Sequence, residues 1–461
     1  MSRHPRKAIS QSKTADAVPK YLVRSDGPIL ALTVSGAFHV NVEATVWETK
    51  LAIDRDTPSP AVGFERPLLR WKAAGRLRRA AAHRFVQAAA FFKLPADVSG
   101  YRLTWKRLSN LYLNRYEIAR LRPVVRSRPT RLVIEPTNVC NLRCPYCHTG
   151  AGRLGRRPGM LRLDRYFKLL DEIGDYLLLI EVFNWGEAML HPQLPEIIAA
   201  ASARGISTRV NTHFSVPFTS DRAERLVKSG LTDLFVSVDG ATQEVYERYR
   251  VGGSLAKVIS NCRAMTEAKE RLKSPLPRLT LQFLEFPFNT NEGEAMQRLA
   301  AELGMALFAL RGAVPDPEWG RRSEWPPWFL MHSPGPCPFL WGQPVLSVDG
   351  NIAPCRGVFQ NFDDITHLAA GPDEEGARSF QEAWNHEGYR AARGLFRNRD
   401  GARGARRLAC YECPTTIFYE RWRAHRNSGG TIESFDPKMV LSANGAWNYF
   451  WSRGQKESGS S

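Results

Sequence analysis

The sequence predicts an α/β fold, a partial (β/α)6 barrel of the TIM-like type, with a basic α+β region before it and a small α+β region after it. From residue 123 onward, short apolar runs alternate with segments of helical periodicity, which is typical of parallel βα units. Six such runs are present, fewer than the eight strands of a closed barrel. A chain of 461 residues is long enough for two or three domains.

The predicted strands and helices place the barrel at residues 128–312. The six strands are expected at residues 132–134, 179–184, 207–211, 234–238, 279–284 and 306–310. Helices follow the first five strands at about 163–173, 194–204, 221–229, 255–271 and 292–303, where apolar residues recur at helical spacing. Parallel barrels carry their chemistry at the carboxyl ends of the strands, so functional residues are expected there.

Most of the positive charge lies before the barrel. The chain has a formal net charge of +18, and residues 1–130 contain 24 Lys plus Arg against 9 Asp plus Glu. Such a region could contact RNA, an acidic peptide, a phosphorylated substrate or an anionic membrane surface. Arg-rich helices that are simply solvated are the alternative.

The amino-terminal region divides into a tail and a folded part of unknown role. Residues 1–20 lack periodicity and are predicted to be a disordered basic tail. Residues 21–127 contain a predicted hairpin and two predicted basic helices. The hairpin joins apolar runs at 29–34 and 40–46 through Ser35-Gly36, and the helices lie at 67–92 and near 103–121.

Composition also bears on the compartment. No apolar run approaches the ~20 residues that span a bilayer, and the amino terminus has no apolar signal-peptide core. We therefore expect a cytoplasmic protein without a transmembrane segment. Seven of the eight cysteines fall in two groups, which favours metal ligation in a reducing compartment over a disulfide framework.

The first cysteine group follows the first predicted strand. Cys140, Cys144 and Cys147 have the spacing CxxxCxxC, which places three soft ligands on one tight loop and suits an iron-sulfur cluster. Three thiolates leave one iron with an open position for a chelating ligand. A zinc knuckle or a disulfide pair is the alternative, although zinc needs a fourth ligand and His148 lies too close to Cys147 for the usual spacing.

This loop resembles that of the radical SAM superfamily, in which the same spacing holds a 4Fe-4S cluster that binds the amino and carboxylate groups of S-adenosylmethionine (SAM). Tyr146, before the third cysteine, fits the same pattern. The resemblance implies reductive cleavage of SAM to a 5'-deoxyadenosyl radical, which abstracts hydrogen from a carbon of the substrate. It also implies an electron donor such as flavodoxin or ferredoxin.

Motifs at the next strand ends extend the resemblance. Gly186 and Glu187 lie in a segment that resembles the "GGEP" segment holding the SAM amino group, with Ala188 where proline is usual. Asn211 stands near the "TNG" position but is shifted, and an "SxDG" motif ends the fourth strand. Arg250 is the candidate for the SAM carboxylate, because a guanidinium fork suits a carboxylate. Each motif alone is also a common turn. The SAM-binding residues that the resemblance implies are Tyr146, Gly186, Glu187, Asn211, Ser237, Asp239 and Arg250.

The second cysteine group consists of Cys337, Cys355, Cys410 and Cys413. Four thiols that include a CxxC pair can close the shell of a cluster or of a zinc ion. The spacing of Gly350 and Cys355 resembles SPASM and twitch domains, which implies one auxiliary 4Fe-4S cluster in a domain covering 313–420. A full SPASM domain would supply further cysteines, and none follows Cys413. Residues 421–461 are predicted to be a tail.

The implied reaction is an oxidative modification of a peptide, carbohydrate or other natural-product substrate. A redox-neutral epimerase is the alternative, and it needs a thiol that returns hydrogen. The remaining thiol, Cys262, lies in a predicted outer helix, where a buried cysteine more commonly packs as a small hydrophobe. An RNA-modifying enzyme or a non-catalytic iron-sulfur or zinc protein is a further alternative, although no RNA-binding motif is recognisable.

Overall fold

The computed structural model describes residues 20–23, 30–33, 94–95, 97–311, 335–368, 379–402 and 404–430. The helix predicted at 67–92, the run at 40–46 and the residues from 431 onward lie outside this part of the chain. Within the described residues, no helix combines the length and the apolar character needed to cross a membrane.

Two short strands pair near the amino terminus, β1 (Lys20–Val23) and β2 (Leu30–Thr33). β2 pairs antiparallel with the strand before it, and the predicted hairpin partner at 40–46 lies outside the described residues, so that pairing stays a prediction. The residues between the two strands include Asp26-Gly27-Pro28, a stronger turn signal than Ser35-Gly36. Lys20, assigned above to the disordered tail, begins β1.

The central element is a sheet whose core is parallel. Its strands are β3 (Arg131–Ile134), β4 (Leu179–Val182), β5 (Ser207–Thr212), β6 (Asp233–Ser237), β7 (Arg278–Glu285), β8 (Ala306–Arg311), β9 (Val345–Leu346), β10 (Asn351–Ala353) and β11 (Thr366–His367). In the described residues these nine strands have the order β11-β10-β9-β3-β4-β5-β6-β7-β8. Strands β3 to β8 pair in parallel and confirm the mixed α/β fold with its parallel sheet.

Helices cover the sheet where helical periodicity predicted them. They are α1 (Trp105–Ala119), α2 (Leu163–Ile173), α3 (Leu194–Ala203), α4 (Ser220–Lys228), α5 (Gln243–Tyr249), α6 (Leu255–Arg271), α7 (Gly293–Glu302), α8 (Phe339–Gly342), α9 (Phe380–Trp384), α10 (Glu387–Gly394) and α11 (Pro414–Asn427). α2 is typical: it buries Tyr166, Leu169, Leu170 and Ile173, which recur at i, i+3, i+4 and i+7. The helices that were not predicted are α5, α8, α9, α10 and α11.

The carboxyl-terminal region extends the same sheet. β9 pairs in parallel with β3, through Val133 opposite Val345 and Ile134 opposite Leu346, and β10 pairs antiparallel with β9. Trp341 on α8 donates from its indole Nε1 to the Arg122 carbonyl oxygen at 2.9 Å, which ties this region to the segment after α1. The domain boundary at 312 therefore stays a prediction, and it does not separate two sheets.

The predicted tail boundary at 421 was wrong. α11 begins at Pro414 and continues to Asn427, so the helix crosses the boundary by seven residues. Phe418 and Trp422 are buried on one side of α11, one turn apart, and they hold this stretch against the protein. The Asn427-Ser428-Gly429 turn marks the end of the helix, with Gly429 at a positive φ of 89°.

Candidate functional site

The first cysteine group lies in an apolar pocket beyond the carboxyl end of β3. Cys144 is buried, Cys140 and Cys147 are half-buried, and the buried side chains of Leu142, Tyr249 and Phe286 pack around them. The loop is fixed by its backbone: the Leu142 N–H approaches Cys140 Sγ at 3.4 Å, and the Cys147 N–H donates to the Cys144 carbonyl at 3.2 Å. The three predicted ligands are therefore held on one short loop.

The thiols of this loop suit a positively charged cofactor. Burial raises the pKa of Cys140 to about 12, and it also raises the pKa of Cys144 against the opposing effect of Arg250, so both favour the neutral thiol in the free protein. The iron of a cluster supplies such a partner and binds the thiolate form. Within the described part of the chain, no three His, Cys, Asp or Glu side chains are already arranged as a metal site. Three cysteine thiols on one loop are a donor set that fits an iron-sulfur cluster.

Arg250 and Asp239 form a buried ion pair beside this loop. Arg250 Nε donates to Asp239 Oδ2 at 2.5 Å, and the same guanidinium bonds the Cys144 thiol. Burial disfavours the charged form of Arg250, but the Asp239 carboxylate outweighs this and holds the pKa of Arg250 above its usual value. The Leu284 N–H donates to the other Asp239 oxygen at 2.8 Å. The predicted SAM-binding residues Arg250 and Asp239 thus contact one another, and Arg250 also contacts Cys144.

Glu187 is held at the end of β4 by groups from the next strand. Its carboxylate accepts the Met189 N–H at 2.9 Å, the Thr212 hydroxyl at 2.6 Å and the His213 N–H at 2.9 Å. Its own N–H donates to the Val139 carbonyl at 2.9 Å, one residue before Cys140. Glu187 therefore lies against the cysteine loop, with much of its hydrogen-bonding capacity already used, and its predicted contact with SAM stays a prediction.

Gly186 allows this close approach. Its φ is 90°, and a Cβ there would lie 2.4 Å from the Thr137 carbonyl oxygen and 2.7 Å from Asn138 backbone atoms. Any side chain would both strain the backbone and push away the segment that leads to Cys140. Glycine at this position is a requirement of packing, whatever it contacts in the loaded protein.

Asn211 lies at the predicted strand end, but its amide is engaged within the sheet. Its Nδ2 donates to Gln282 Oε1 at 2.7 Å, and its Oδ1 accepts from the Ser237 hydroxyl at 2.9 Å. The three residues connect β5, β6 and β7, since Ser237 is directly opposite Gln282 in the register. Gln282 was missed, because a lone Gln in an apolar run carries no sequence signal.

A buried carboxylate that sequence reasoning also missed is Glu135, the residue after β3. It is fully buried and accepts the Asn184 side-chain amide and the Trp185 N–H at 3.3 Å each, and the Val348 N–H at 3.2 Å. Burial raises the pKa of Glu135 to about 7, against the opposing effect of Arg156. It joins the ends of β3, β4 and β9 at the edge of the sheet that carries the cysteine loop.

Protonation of Glu135 should make stability depend on pH. The raised pKa means that the folded state holds a proton that the unfolded state has lost, so the stabilisation is present at low pH and disappears as pH rises through about 7. Relative to Glu135→Gln, the free energy of unfolding of the wild-type apoprotein should fall by about 2 kcal/mol between pH 5.5 and 8. Urea unfolding at a series of pH values measures this.

The matched control for this experiment is the exposed Glu196, which pairs with Arg225 on the surface. Glu196→Gln should shift the unfolding free energy by less than about 0.5 kcal/mol at every pH. If the difference in unfolding free energy between wild type and Glu135→Gln stayed constant with pH, it would contradict the raised pKa of Glu135.

An aromatic contact joins the two cysteine groups. The His148 ring, next to Cys147, stacks on Phe359 with centroids 3.6 Å apart and planes 8° apart. Trp185 packs edge-on against His148 at 5.2 Å and donates from Nε1 to the Val358 carbonyl oxygen at 3.1 Å. Val358 in turn donates its N–H to the Cys355 carbonyl at 3.3 Å. The loop that carries the first cysteine group therefore packs against the segment that carries Cys355 of the second cysteine group.

In the second group, Cys410 is buried and Cys337, Cys355 and Cys413 are half-buried. Burial raises the pKa of all four thiols, and the other three raise the pKa of Cys410 further, so the four affect one another electrostatically. Cys355 packs against Val133 on β3 and against β9 and β10. Ala409, the residue before Cys410, belongs to the same packed cluster as Cys355, but no three of these thiols form a metal-site arrangement within the described residues, so the four-thiol ligand set stays a prediction.

Cys262 lies elsewhere. It is buried on α6 in the main core between helices and sheet, with burial raising its pKa to about 12. It does not belong to the cluster of side chains that packs around the first three cysteines. The structure therefore does not bring Cys262 together with the predicted site, and packing accounts for it.

Comparison with known proteins finds matches within the region of the parallel sheet. Residues 134–274 match the model of the Radical SAM superfamily. The mycofactocin maturase MftC of Mycobacterium ulcerans (strain Agy99) is 30% identical over 131 residues, 28% of this chain and 35% of the relative. The PqqA peptide cyclase of Granulibacter bethesdensis is 31% identical over 141 residues, 30% of this chain and 37% of the relative.

These curated relatives are matched over only about a third of their length. A longer match, to the PqqA peptide cyclase of Ruegeria pomeroyi, is 24% identical over 306 residues and covers 59% of this chain and 77% of the relative. Among solved structures, Streptococcus suis SuiB bound to the precursor peptide SuiA is 15% identical, with a TM-score of 0.40 and coverage of 60% of this chain and 69% of SuiB.

Proposed function

We propose that this chain is a radical SAM enzyme that binds a 4Fe-4S cluster at Cys140, Cys144 and Cys147 and binds SAM beside it. The observation that carries the proposal is that these thiols, Glu187 and Arg250 meet at the carboxyl ends of parallel strands within a radical SAM domain. When bound, the cluster and SAM supply reductive cleavage of the sulfonium to a radical that abstracts hydrogen from carbon.

The side chains around the loop have separate roles in this proposal. The thiols hold the cluster, while Leu142, Tyr249 and Phe286 keep water from it. Glu187 accepts from the ammonium of SAM, and Arg250 donates to its carboxylate. The hydrogen-bonded chain of Asn211, Ser237 and Gln282 keeps the ends of β5 to β7 in fixed register beside the cofactor.

We further propose that Cys337, Cys355, Cys410 and Cys413 hold an auxiliary 4Fe-4S cluster in a region covering 313–420. Four thiols that affect one another electrostatically, two of them in a CxxC pair, support a closed ligand shell, and a zinc ion is the alternative to a cluster. A second redox centre favours an oxidative modification, with flavodoxin or ferredoxin as electron donor. Because relatives include PqqA peptide cyclases, a peptide is the preferred substrate class over a carbohydrate.

The test is formation of 5'-deoxyadenosine from SAM. The full chain is reconstituted anaerobically with iron and sulfide, reduced, and compared with a Cys140→Ala/Cys144→Ala/Cys147→Ala variant. Wild type should produce 5'-deoxyadenosine and the triple variant none. Cys262→Ala is the matched control and should retain the wild-type rate, since its thiol packs in the core. A reconstituted, iron-containing wild type that leaves SAM intact would overturn the proposal.

The same assay separates the substrate classes. Hydrogen abstraction from a bound substrate consumes the radical, so a true substrate should increase 5'-deoxyadenosine and should itself be chemically altered. Short peptides and simple sugars are each added to the reduced protein. A mass loss of two hydrogens in a peptide supports oxidation, whereas hydrogen exchange with solvent at unchanged chemical composition supports the epimerase alternative.

A further inference from the structure

The segment that carries the first cysteine loop is basic. Residues 136–163 contain five arginines and no acidic residue. Neighbouring groups of the protein engage three of them: Arg153, Arg156 and Arg162. Arg143 and Arg157 are exposed, and neither forms an ion pair with an acidic side chain of the described residues. These two arginines therefore present positive charge to solvent.

Exposed aliphatic side chains accompany the two arginines. Val139 and Val251 are each 38% exposed, and Met160 is 47% exposed. A single exposed apolar side chain is normal on a soluble protein, so any one of these alone would indicate nothing. Their significance depends on whether they share one surface with the arginines.

On one flank of the loop, backbone contacts place an arginine beside an aliphatic residue. The Arg143 N–H donates to the Val251 carbonyl oxygen at 2.9 Å. Asn141, two residues before Arg143, donates from Nδ2 to the Ser215 carbonyl oxygen at 2.9 Å. The loop and the segment after α5 are therefore held together at Arg143 and Val251.

On the other flank, Asn138 joins the start of the loop to the segment that follows it. Asn138 Nδ2 donates to the Arg157 carbonyl oxygen at 2.8 Å, and the Gly159 N–H donates to Asn138 Oδ1 at 2.8 Å. Val139 and Met160 are the next residues along the chain, so they lie on neighbouring segments. We call the surface around the loop the loop face, and its residues are Val139, Arg143, Arg157, Met160 and Val251.

The loop face borders the proposed redox site. Val139 directly precedes Cys140, and Arg143 directly precedes Cys144. Cys140 and Cys147 are themselves half-buried, so no complete layer of protein separates these thiols from solvent. A partner bound to the loop face would therefore come close to whatever the three thiols hold.

The composition of the loop face favours a small acidic protein as its partner. Aliphatic side chains bordered by arginines are typical of protein–protein interfaces, and arginine attracts acidic partners over a distance. The loop face has no aromatic side chain on which an RNA base could stack, and two arginines give few phosphate contacts. Its five residues cover a small area, as in transient electron-transfer complexes.

We propose that the loop face docks a small acidic electron-transfer protein that delivers one electron to the cluster at the first cysteine group. This inference rests on the proposed function, because it places the redox partner of the same site. The reduced centre of the partner loses one electron and the cluster gains it, and no bond or proton moves. Arg143 and Arg157 bind carboxylates of the partner, and the aliphatic side chains pack between them.

The experiment measures binding of an acidic 2Fe-2S ferredoxin to the reconstituted full chain by calorimetry at low ionic strength. Arg143→Glu/Arg157→Glu should weaken binding at least about tenfold, because like charges then face one another. Arg143→Lys/Arg157→Lys keeps both charges and should bind within about threefold of wild type. Arg263→Glu/Arg298→Glu is the matched control: it changes the net charge equally at exposed arginines of α6 and α7 and should bind within about twofold.

A second readout compares electron donors. The ratio of 5'-deoxyadenosine formed with reduced ferredoxin to that formed with dithionite, a small reductant, should fall at least about tenfold in Arg143→Glu/Arg157→Glu and stay constant in the control. Ferredoxin that does not bind wild type, or that binds the variant and wild type equally, would overturn the inference. So would single-stranded RNA or anionic vesicles that bind more tightly than ferredoxin through the same arginines. Iron-loaded wild type that binds ferredoxin and leaves SAM intact would instead overturn the proposed function.

Discussion

Replacing Cys140, Cys144 and Cys147 together with alanine should lower the iron content from about eight to about four per chain. The three thiols lie on one loop in an apolar pocket, and the alanines leave no ligand there. The four thiols of the second group are on other segments and should keep the auxiliary cluster that we propose for them. Iron and sulfide analysis after anaerobic reconstitution measures this, and 5'-deoxyadenosine formation should be lost in the same sample.

The complementary variant is Cys410→Ala/Cys413→Ala, which should also retain about four irons, now at the first loop. Cys262→Ala should retain all of them, because that thiol packs in the core. Wild type with about four irons and bound zinc, whose iron falls to none in the triple variant, would contradict the auxiliary cluster. The second group would then be structural, and the reaction class would shift from oxidation to a redox-neutral one.

The parts of the fold that local pattern determines could be predicted. Each strand from β3 to β8 lies within two residues of its expected bounds, because apolar runs between amphipathic helices have few other ways to be buried. Pairing between strands that are distant in the sequence could not be predicted from local pattern. β9 has only two residues and joins β3 across more than two hundred positions, and no local signal specifies that partner.

The site shows the same division. Cysteine spacing predicted Cys140, and the resemblance of short motifs at the strand ends predicted Glu187 and Arg250. Gln282 and Glu135 were missed, because a single polar residue beside an apolar run has no period or spacing. The contacts of such a residue depend on the order and register of the strands in the sheet, which the local sequence does not specify.

Asp239→Asn should destabilise the protein by about 3–5 kcal/mol, the largest effect that we expect of a single substitution. Asn keeps an oxygen for the Leu284 N–H but removes the charge that pairs with Arg250 at 2.5 Å. The Asp239 side chain is fully buried and that of Arg250 is 14% exposed, so a charged guanidinium would be left without its counter-ion and away from water. Urea unfolding of the apoprotein measures the loss.

A double-mutant cycle separates this pair from simple damage. Arg250→Met should destabilise by a similar amount, since it leaves the Asp239 carboxylate unpaired. The double variant Asp239→Asn/Arg250→Met contains neither charge, so its loss should be smaller than the sum of the two by at least about 2 kcal/mol. Arg162 and Asp164 provide the control: they also lie 2.5 Å apart but are 63% and 49% exposed, and Asp164→Asn should cost less than about 1 kcal/mol. Additive losses at Asp239 and Arg250 would mean that the two side chains stabilise the protein independently and that their charges are not coupled.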